Sequence, residues 1–194
     1  MARSRPIETP RLVIEPFGEP YLTDGYVGWL NDPEVLRYSD QRFRAHTRET
    51  CLSYLRSFEG TPNYFWAIRA KTFPDGLLGT ATAYVDVHHH VADVGLLIGD
   101  KSDWGKGYGT ELWLAVCDFL FRSATVRKVT GGTIEPNRGM LAIMDRVGMV
   151  DDGRRQLHCL WEGRPVDLIH KALYRETWLE RFPRGPFQDD GERL

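Results

Sequence analysis

The period of apolar and polar positions changes several times along the chain, and each change marks an element. Residues 11–17 read as a short strand stopped by Pro16 and Gly18. Thr23 caps a helix carrying Tyr26, Val27, Trp29 and Leu30. In Asn31-Asp32-Pro33-Glu34, Asp32 suits an N-cap, Pro33 the first helical position and Glu34 the positive helix end, so a short helix through Val35, Leu36 and Tyr38 is expected. Residues 40–44 read as a loop. Thr47 opens the next helix, with Leu52, Leu55 and Phe58 on one face. Residues 64–70 form an aromatic-rich strand, Pro74-Asp75-Gly76 a turn, and residues 77–87 a second strand in which Gly79 marks a bend. A third strand covers 92–99. Three strands with short links predict an antiparallel meander.

The chain is organised around residues 93–110. Val94, Leu96, Leu97 and Ile98 supply a strand; Gly105, Gly107 and Gly109 then alternate with Lys106 and Tyr108. A helix follows in which Leu112, Ala115, Val116, Phe119 and Leu120 form one stripe, and Trp113, Cys117 and Phe121 widen it. Only Glu111, Asp118 and Arg122 are left as a polar edge, so this helix is buried on most sides. A strand over 126–134 comes next, which implies a β-α-β crossover with a parallel pair. Pro136-Asn137 breaks it. A helix then carries Met140, Ile143, Met144 and Val147 inward, with Gly148 as its C-terminal cap. Residues 155–161 and 166–173, joined by Glu162-Gly163, predict a closing hairpin. The residues from 182 onward read as a frayed tail.

A strand, a glycine turn and a helix start can gather backbone N–H groups on one point, which is a place for a phosphate. A plain strand-to-helix turn does not need three alternating glycines, because each loses much chain entropy on ordering.

Composition narrows the class. A chain of 194 residues with 42% hydrophobic and 27% charged residues is an ordinary globular composition. The formal net charge of −2 offers no basic excess for a nucleic-acid backbone. Cys51, Cys117 and Cys159 are odd in number and widely spaced, which suits small core side chains better than a disulfide framework. No apolar run behind the N-terminus resembles a signal peptide, and none approaches a membrane span, so a cytoplasmic protein is expected. Consecutive strand residues alternate faces, so His88, His89 and His90 cannot all address one ion; they read as a polar turn.

The order of elements, together with three motifs, resembles the GCN5-related N-acetyltransferase (GNAT) superfamily over roughly residues 8–175. The motifs are Trp104-Gly105-Lys106-Gly107-Tyr108-Gly109-Thr110, Asn137-x-x-Met140 with Arg146-Val147-Gly148-Met149, and Trp29-Leu30-Asn31-Asp32-Pro33-Glu34-Val35. Trp104 stands where Gln or Arg is usual, as in the branch similar to ribosomal-protein alanine N-acetyltransferases; the third motif also occurs in relatives that acetylate sugar-nucleotide amines. The resemblance implies an α/β (α+β) acyl-CoA N-acyltransferase fold. Its central sheet would be mixed, mostly antiparallel and of about seven strands flanked by helices, in a single domain over 1–175 with a tail over 176–194.

It also implies a function: an acetyl-CoA-dependent N-acetyltransferase with no metal, acting on a small-molecule or peptide amine as a monomer or homodimer. Residues 104–110 would hold the pyrophosphate. Backbone groups of Leu96, Leu97 and Ile98, with Asn137, would hold the pantetheine arm in a gap where two parallel strands splay. A base must take a proton from the attacking amine, and Asp93 and Glu135 are the candidates. Met140 and Met144 occupy the positions of the usual Ser and Tyr, and neither can donate a proton to the leaving thiolate. A water, Tyr38 or Tyr174 would have to replace them. Tyr38, Arg42, Phe43, His89 and Trp161 are acceptor-side candidates by location. A non-catalytic acyl-CoA sensor on the same fold is the alternative.

Overall fold

The computed structural model describes residues 6–188, so the outermost residues of both termini, including the end of the expected tail, lie outside the described part. The strands are β1 (Ile7–Glu8), β2 (Leu12–Pro16), β3 (Tyr64–Ala70), β4 (Phe73–Asp86), β5 (Val91–Ile98), β6 (Lys128–Ile134), β7 (Val150–Trp161) and β8 (Arg164–Tyr174). The helices are α1 (Asp24–Asn31), α2 (Arg48–Arg56), α3 (Tyr108–Arg122), α4 (Arg138–Val147) and α5 (Arg175–Arg181). In hydrogen-bonded order the strands run β1-β2-β3-β4-β5-β6-β8-β7. This mixed, mostly antiparallel sheet has one strand more than expected, the short β1. Contacts divide the chain into two units, one of residues 1–84 and 96–108, the other of 85–95 and 109–194.

In the first unit, β2 pairs antiparallel with β3 and β3 with β4. Phe17, Leu22, Tyr26, Cys51, Phe58, Phe65 and Ala67 form one buried cluster. Phe17 and Phe65 stack at 4.2 Å at its centre, and burial pushes the Tyr26 hydroxyl far above the usual tyrosine range. Both helices start as the sequence requires: the Thr23 hydroxyl accepts from the Tyr26 N–H at 3.2 Å, and Thr47 and Thr50 form a reciprocal capping box.

Two local expectations fail here. Residues 33–38 form turns rather than a helix. Asp32 does accept from the Glu34 and Val35 N–H groups (2.8 and 3.3 Å). After one turn, however, Ser39 becomes the cap of a new 3-10 segment, Asp40–Phe43, and accepts from the Gln41 N–H. A single turn does not repay helix nucleation. The second failure is the reversal placed at Pro74-Asp75-Gly76. Ala70 pairs with Phe73, so the chain turns at Lys71-Thr72 and β4 has already begun at the Pro-Asp-Gly segment.

In the second unit, β5 and β6 make the expected parallel pair and β6, β8 and β7 continue antiparallel. Leu112, Trp113, Val116, Leu120 and Phe121 of α3 are buried with Val129, Met144, Val147 and Ala172. Glu111, expected on a polar edge, is 7% exposed; it lies in the first helical turn, where a carboxylate is favoured by the helix dipole. Gly148 takes the left-handed C-cap of α4 (φ 88°). Of the expected tail, residues 176–181 belong to helix α5. Trp178 is 2% exposed and donates its indole N–H to Asp118 at 2.9 Å, and Arg175 donates to the Phe121 carbonyl. Cys117 is fully buried, which pushes its thiol far up, and Cys159 is half-buried.

The closing hairpin is longer than its alternation suggests, because β7 is exposed along most of its length and carries an irregularity between Arg155 and Cys159. Leu157 sits there at φ 50°. Its N–H donates to the Asp167 carboxylate at 2.7 Å, and Arg154 forms an ion pair with the same group. The Leu157 N–H, and after it Arg154, hold the Asp167 carboxyl below the usual aspartate range. A depressed folded pKa gives stability that is complete above the unfolded value, roughly 4, and lost as pH falls through the folded value. Asp167→Asn is therefore expected to lower the Tm at neutral pH and to flatten the fall of Tm on acidification, as read by calorimetry across that range. An unchanged acid limb would contradict this.

Candidate functional site

The site is built on the continuous segment from β5 to α3. Asp100 caps a 3-10 turn over Lys101–Asp103 by accepting from the Ser102 N–H at 2.8 Å, and that bond is the main reason its carboxyl lies below the usual range. Trp104 follows. It is 41% exposed and its indole N–H donates to the Ile98 carbonyl at 2.9 Å, so the turn folds back on the end of its own strand. Gly105 and Gly107 have φ of 76° and 83°, a region costly for any side chain. Gly109 has no such angle; a Cβ there would stand 2.7 Å from the Ile143 Cδ1, so its glycine serves helix packing. The three glycines therefore have two purposes: two shape the turn and one lets α4 approach α3.

The first N–H groups of α3 have no acceptor within the helix. In the first unit, two cations stand at the turn before it. The Arg11 guanidinium donates to the Lys106 carbonyl at 2.8 Å and lies over the Tyr108 ring at 4.7 Å. Lys106 pairs with Asp103 at 2.9 Å, and that hydrogen bond holds its ammonium above the usual range. Arg146 donates to the hydroxyl of Thr110, itself 8% exposed, at 3.2 Å. Neither Arg11 nor Arg146 stood out in the sequence. Arg11 read as the edge of a strand and Arg146 as the outer face of a helix; a cation about one helical turn from a glycine cap carries no signal of its own.

The parallel ladder between β5 and β6 consists of Val91↔Lys128, Ala92↔Val129 and Asp93↔Thr130. It stops there, although β5 continues to Ile98 and β6 to Ile134. At its last rung the Thr130 hydroxyl donates to the exposed Asp93 carboxylate at 2.7 Å. Beyond it the two edges of β5 differ. The Leu97 oxygen lies 2.2 Å from where a Gly79 Cβ would stand, and the Gly99 N–H donates to the Leu78 carbonyl. Residues 97 and 99 thus face β4, and by strand alternation Leu96 and Ile98 turn their polar groups to the other edge. Gly79 therefore marks a close approach to β5, and it stands beside the bulge at which β4 shifts register against β3 between Gly79 and Leu77.

Glu135 follows β6, with Arg138 and Arg154 at 3.7 and 3.9 Å from its carboxylate. Asn137 caps α4, accepting from the Met140 N–H (3.2 Å) and donating to the Thr133 hydroxyl (2.9 Å). Met144 is 1% exposed and packs beside Gly131, a core position, while Met140 is half-buried. Tyr174 is 41% exposed and stands under the Lys128 ammonium.

Of the acceptor-side candidates, Tyr38, Arg42 and Phe43 come together around one 3-10 turn. Arg42 lies over the Phe43 ring at 4.2 Å and donates to the Ser39 carbonyl; Phe43 is 71% exposed. Arg37 covers Tyr38. His89 belongs to the β4–β5 turn, where Asp86 accepts from the His88 and His89 N–H groups, and Trp161 ends β7. Among the described residues no cluster of three His, Cys, Asp or Glu could hold a metal, and no helix is long and apolar enough to cross a membrane.

Comparison with known proteins agrees with this architecture. The acetyltransferase (GNAT) domain family matches residues 11–150. No curated protein matches the chain. Among solved structures, a GNAT-family acetyltransferase from Bacillus anthracis is similar with a TM-score of 0.75 at 17% identity, covering 89% of this chain and 99% of its own. A spermidine N-acetyltransferase from Vibrio cholerae, in complex with CoA and spermine, has a TM-score of 0.77 at 14% identity, covering 87% and 98%. A ribosomal L7/L12 alpha-N-protein acetyltransferase, RimL, in complex with coenzyme A has a TM-score of 0.77 at 13% identity, covering 88% and 98%. With a family match over most of the chain and a sheet of the same fold, the protein belongs to the GNAT family of acetyl-CoA-dependent acetyltransferases.

Proposed function

We propose that the protein acetylates a primary amine by direct attack on the thioester of acetyl-CoA, with Asp93 as the base. The observation that carries this reading is the parallel ladder that stops at Asp93↔Thr130 while both strands run on. An arm carrying amide groups fits beside the released edge of β5, at Leu96 and the Ile98 N–H, since the Ile98 carbonyl already serves Trp104. The pyrophosphate then falls at the start of α3, where a helix N-terminus favours an anion by about 1 kcal/mol beyond the hydrogen bonds. Arg11 and Lys106 supply counter-charge beside the turn.

The amine nitrogen forms its bond to the carbonyl carbon, the C–S bond breaks, and the electron pair leaves on sulfur as thiolate. The proton lost by nitrogen passes to Asp93, directly or through water. Thr130 fixes one carboxylate oxygen and leaves the other for the proton. Glu135 suits this less well, because two guanidinium groups compete for its oxygens.

For the acceptor, helix α1 and the turns after it carry Tyr38, Arg42 and Phe43, with Arg37 and Arg44 beside them. The exposed Phe43 ring and the guanidinium groups near it suit an amine borne by a molecule with planar and anionic parts, such as a sugar nucleotide. A protein N-terminus is the second reading, favoured by the similarity to RimL.

Two outcomes test this. Asp93→Asn is expected to lower kcat/KM for the amine about 100-fold with little change in the affinity for acetyl-CoA; thiol release followed over an amine panel measures it, and an undiminished rate removes Asp93 as the base. Gly107→Ala, which forces a side chain into φ 83°, is expected to weaken acetyl-CoA about tenfold, as titration calorimetry would show. Undiminished affinity would remove the turn from the binding site.

A further inference from the structure

The Trp29-Leu30-Asn31-Asp32-Pro33-Glu34 segment has no part in the chemistry above, yet each of its polar or aromatic members is engaged. A Cβ added to Gly99 would stand 1.9 Å from the Trp29 indole, so the ring lies directly on the main chain of Gly99. Lys101, two residues on, donates to Asp32 and Glu34, both at 2.9 Å. Those bonds, Glu34 first, hold the Lys101 ammonium above the usual lysine range. Asn31 clamps the chain entering α2: its side-chain amide donates to the His46 carbonyl (2.8 Å) and accepts from the His46 N–H (3.0 Å), as a strand partner would.

Residues 99–101 join the end of β5 to the turn capped by Asp100, so they cannot shift without moving Trp104 and the glycines after it. We propose that this segment is a positioning device. Through Trp29 on Gly99, Lys101 between two carboxylates, and Asn31 on His46, it ties helices α1 and α2 to the cofactor turn, so that binding of coenzyme A orders the acceptor-side helices. Trp29, Asn31, Asp32, Glu34, Gly99 and Lys101 are positioning residues: none touches the reacting atoms. The ion pairs are exposed, and such pairs contribute little. The ring on the glycine is therefore the principal tie, since no side chain larger than hydrogen fits beneath it.

The inference rests on the reading that α1 and its following turns line the acceptor side. Hydrogen–deuterium exchange on the full chain, with and without coenzyme A, separates the two ideas. In the wild type, coenzyme A is expected to slow exchange both at 104–110 and at 24–47. Gly99→Ala displaces the indole and is expected to keep the protection at 104–110 but lose that at 24–47, with KM for the amine raised about tenfold and that for acetyl-CoA little changed. Trp29→Leu, which removes the ring without crowding Gly99, should give the same pattern, and the double variant should be no worse than either, because both remove one contact. Protection at 24–47 that survives both variants, or losses that add, would overturn the coupling. Absence of wild-type protection at 104–110 would overturn the cofactor reading, and the coupling with it.

Discussion

Backbone donors at the start of α3 set the terms for this protein. A helix start leaves N–H groups without partners, and here a glycine turn leads directly into it. Gly105 and Gly107 take positive φ, Arg11 holds the Lys106 carbonyl from outside, and Trp104 ties the turn to Ile98. The rest of α3 secures the position of those donors. It is apolar nearly all round, buried along its length, and fixed at its far end by Asp118, which receives the indole of Trp178. Burial of α3 over most of its length keeps its start from fraying.

The strand before the turn is used on both edges. Its first half belongs to a parallel ladder with β6, and its second half faces β4 so closely that Gly79 can bear no side chain. The change of partner frees one edge of a central strand, which is rare because unpaired main-chain groups in a sheet interior cost free energy. A ligand with amide groups of its own relieves that cost, and this connects the fold to the cofactor more directly than any single side chain does.

Much of this was legible in the residues themselves. Threonine caps, the stripe of α3, Asn137 before α4 and Gly148 after it were each set by local chemistry, and local chemistry held. Features decided by distant residues were not legible. Val35 to Tyr38 look helical until Ser39 captures the chain. Pro74-Asp75-Gly76 looks like a turn until the register of β3 places the reversal earlier. The tail looks unstructured because Trp178, its anchor, has partners some 60 residues away in sequence. The site divides in the same way. The glycine turn announced itself, whereas Arg11 reaches it from a strand whose own pattern is ordinary.

Contacts made by main-chain atoms place demands on shape and almost none on side-chain identity. Along 93–110, the positions that cannot vary freely are Gly105 and Gly107, held at positive φ, and Gly99, where a Cβ would run into the Trp29 ring, with Gly109, where it would displace the end of the Ile143 side chain; Leu96 and Ile98 can be exchanged for any residue content in a strand. The proposed site therefore constrains the shape of the main chain along 93–110 far more than the identity of its side chains.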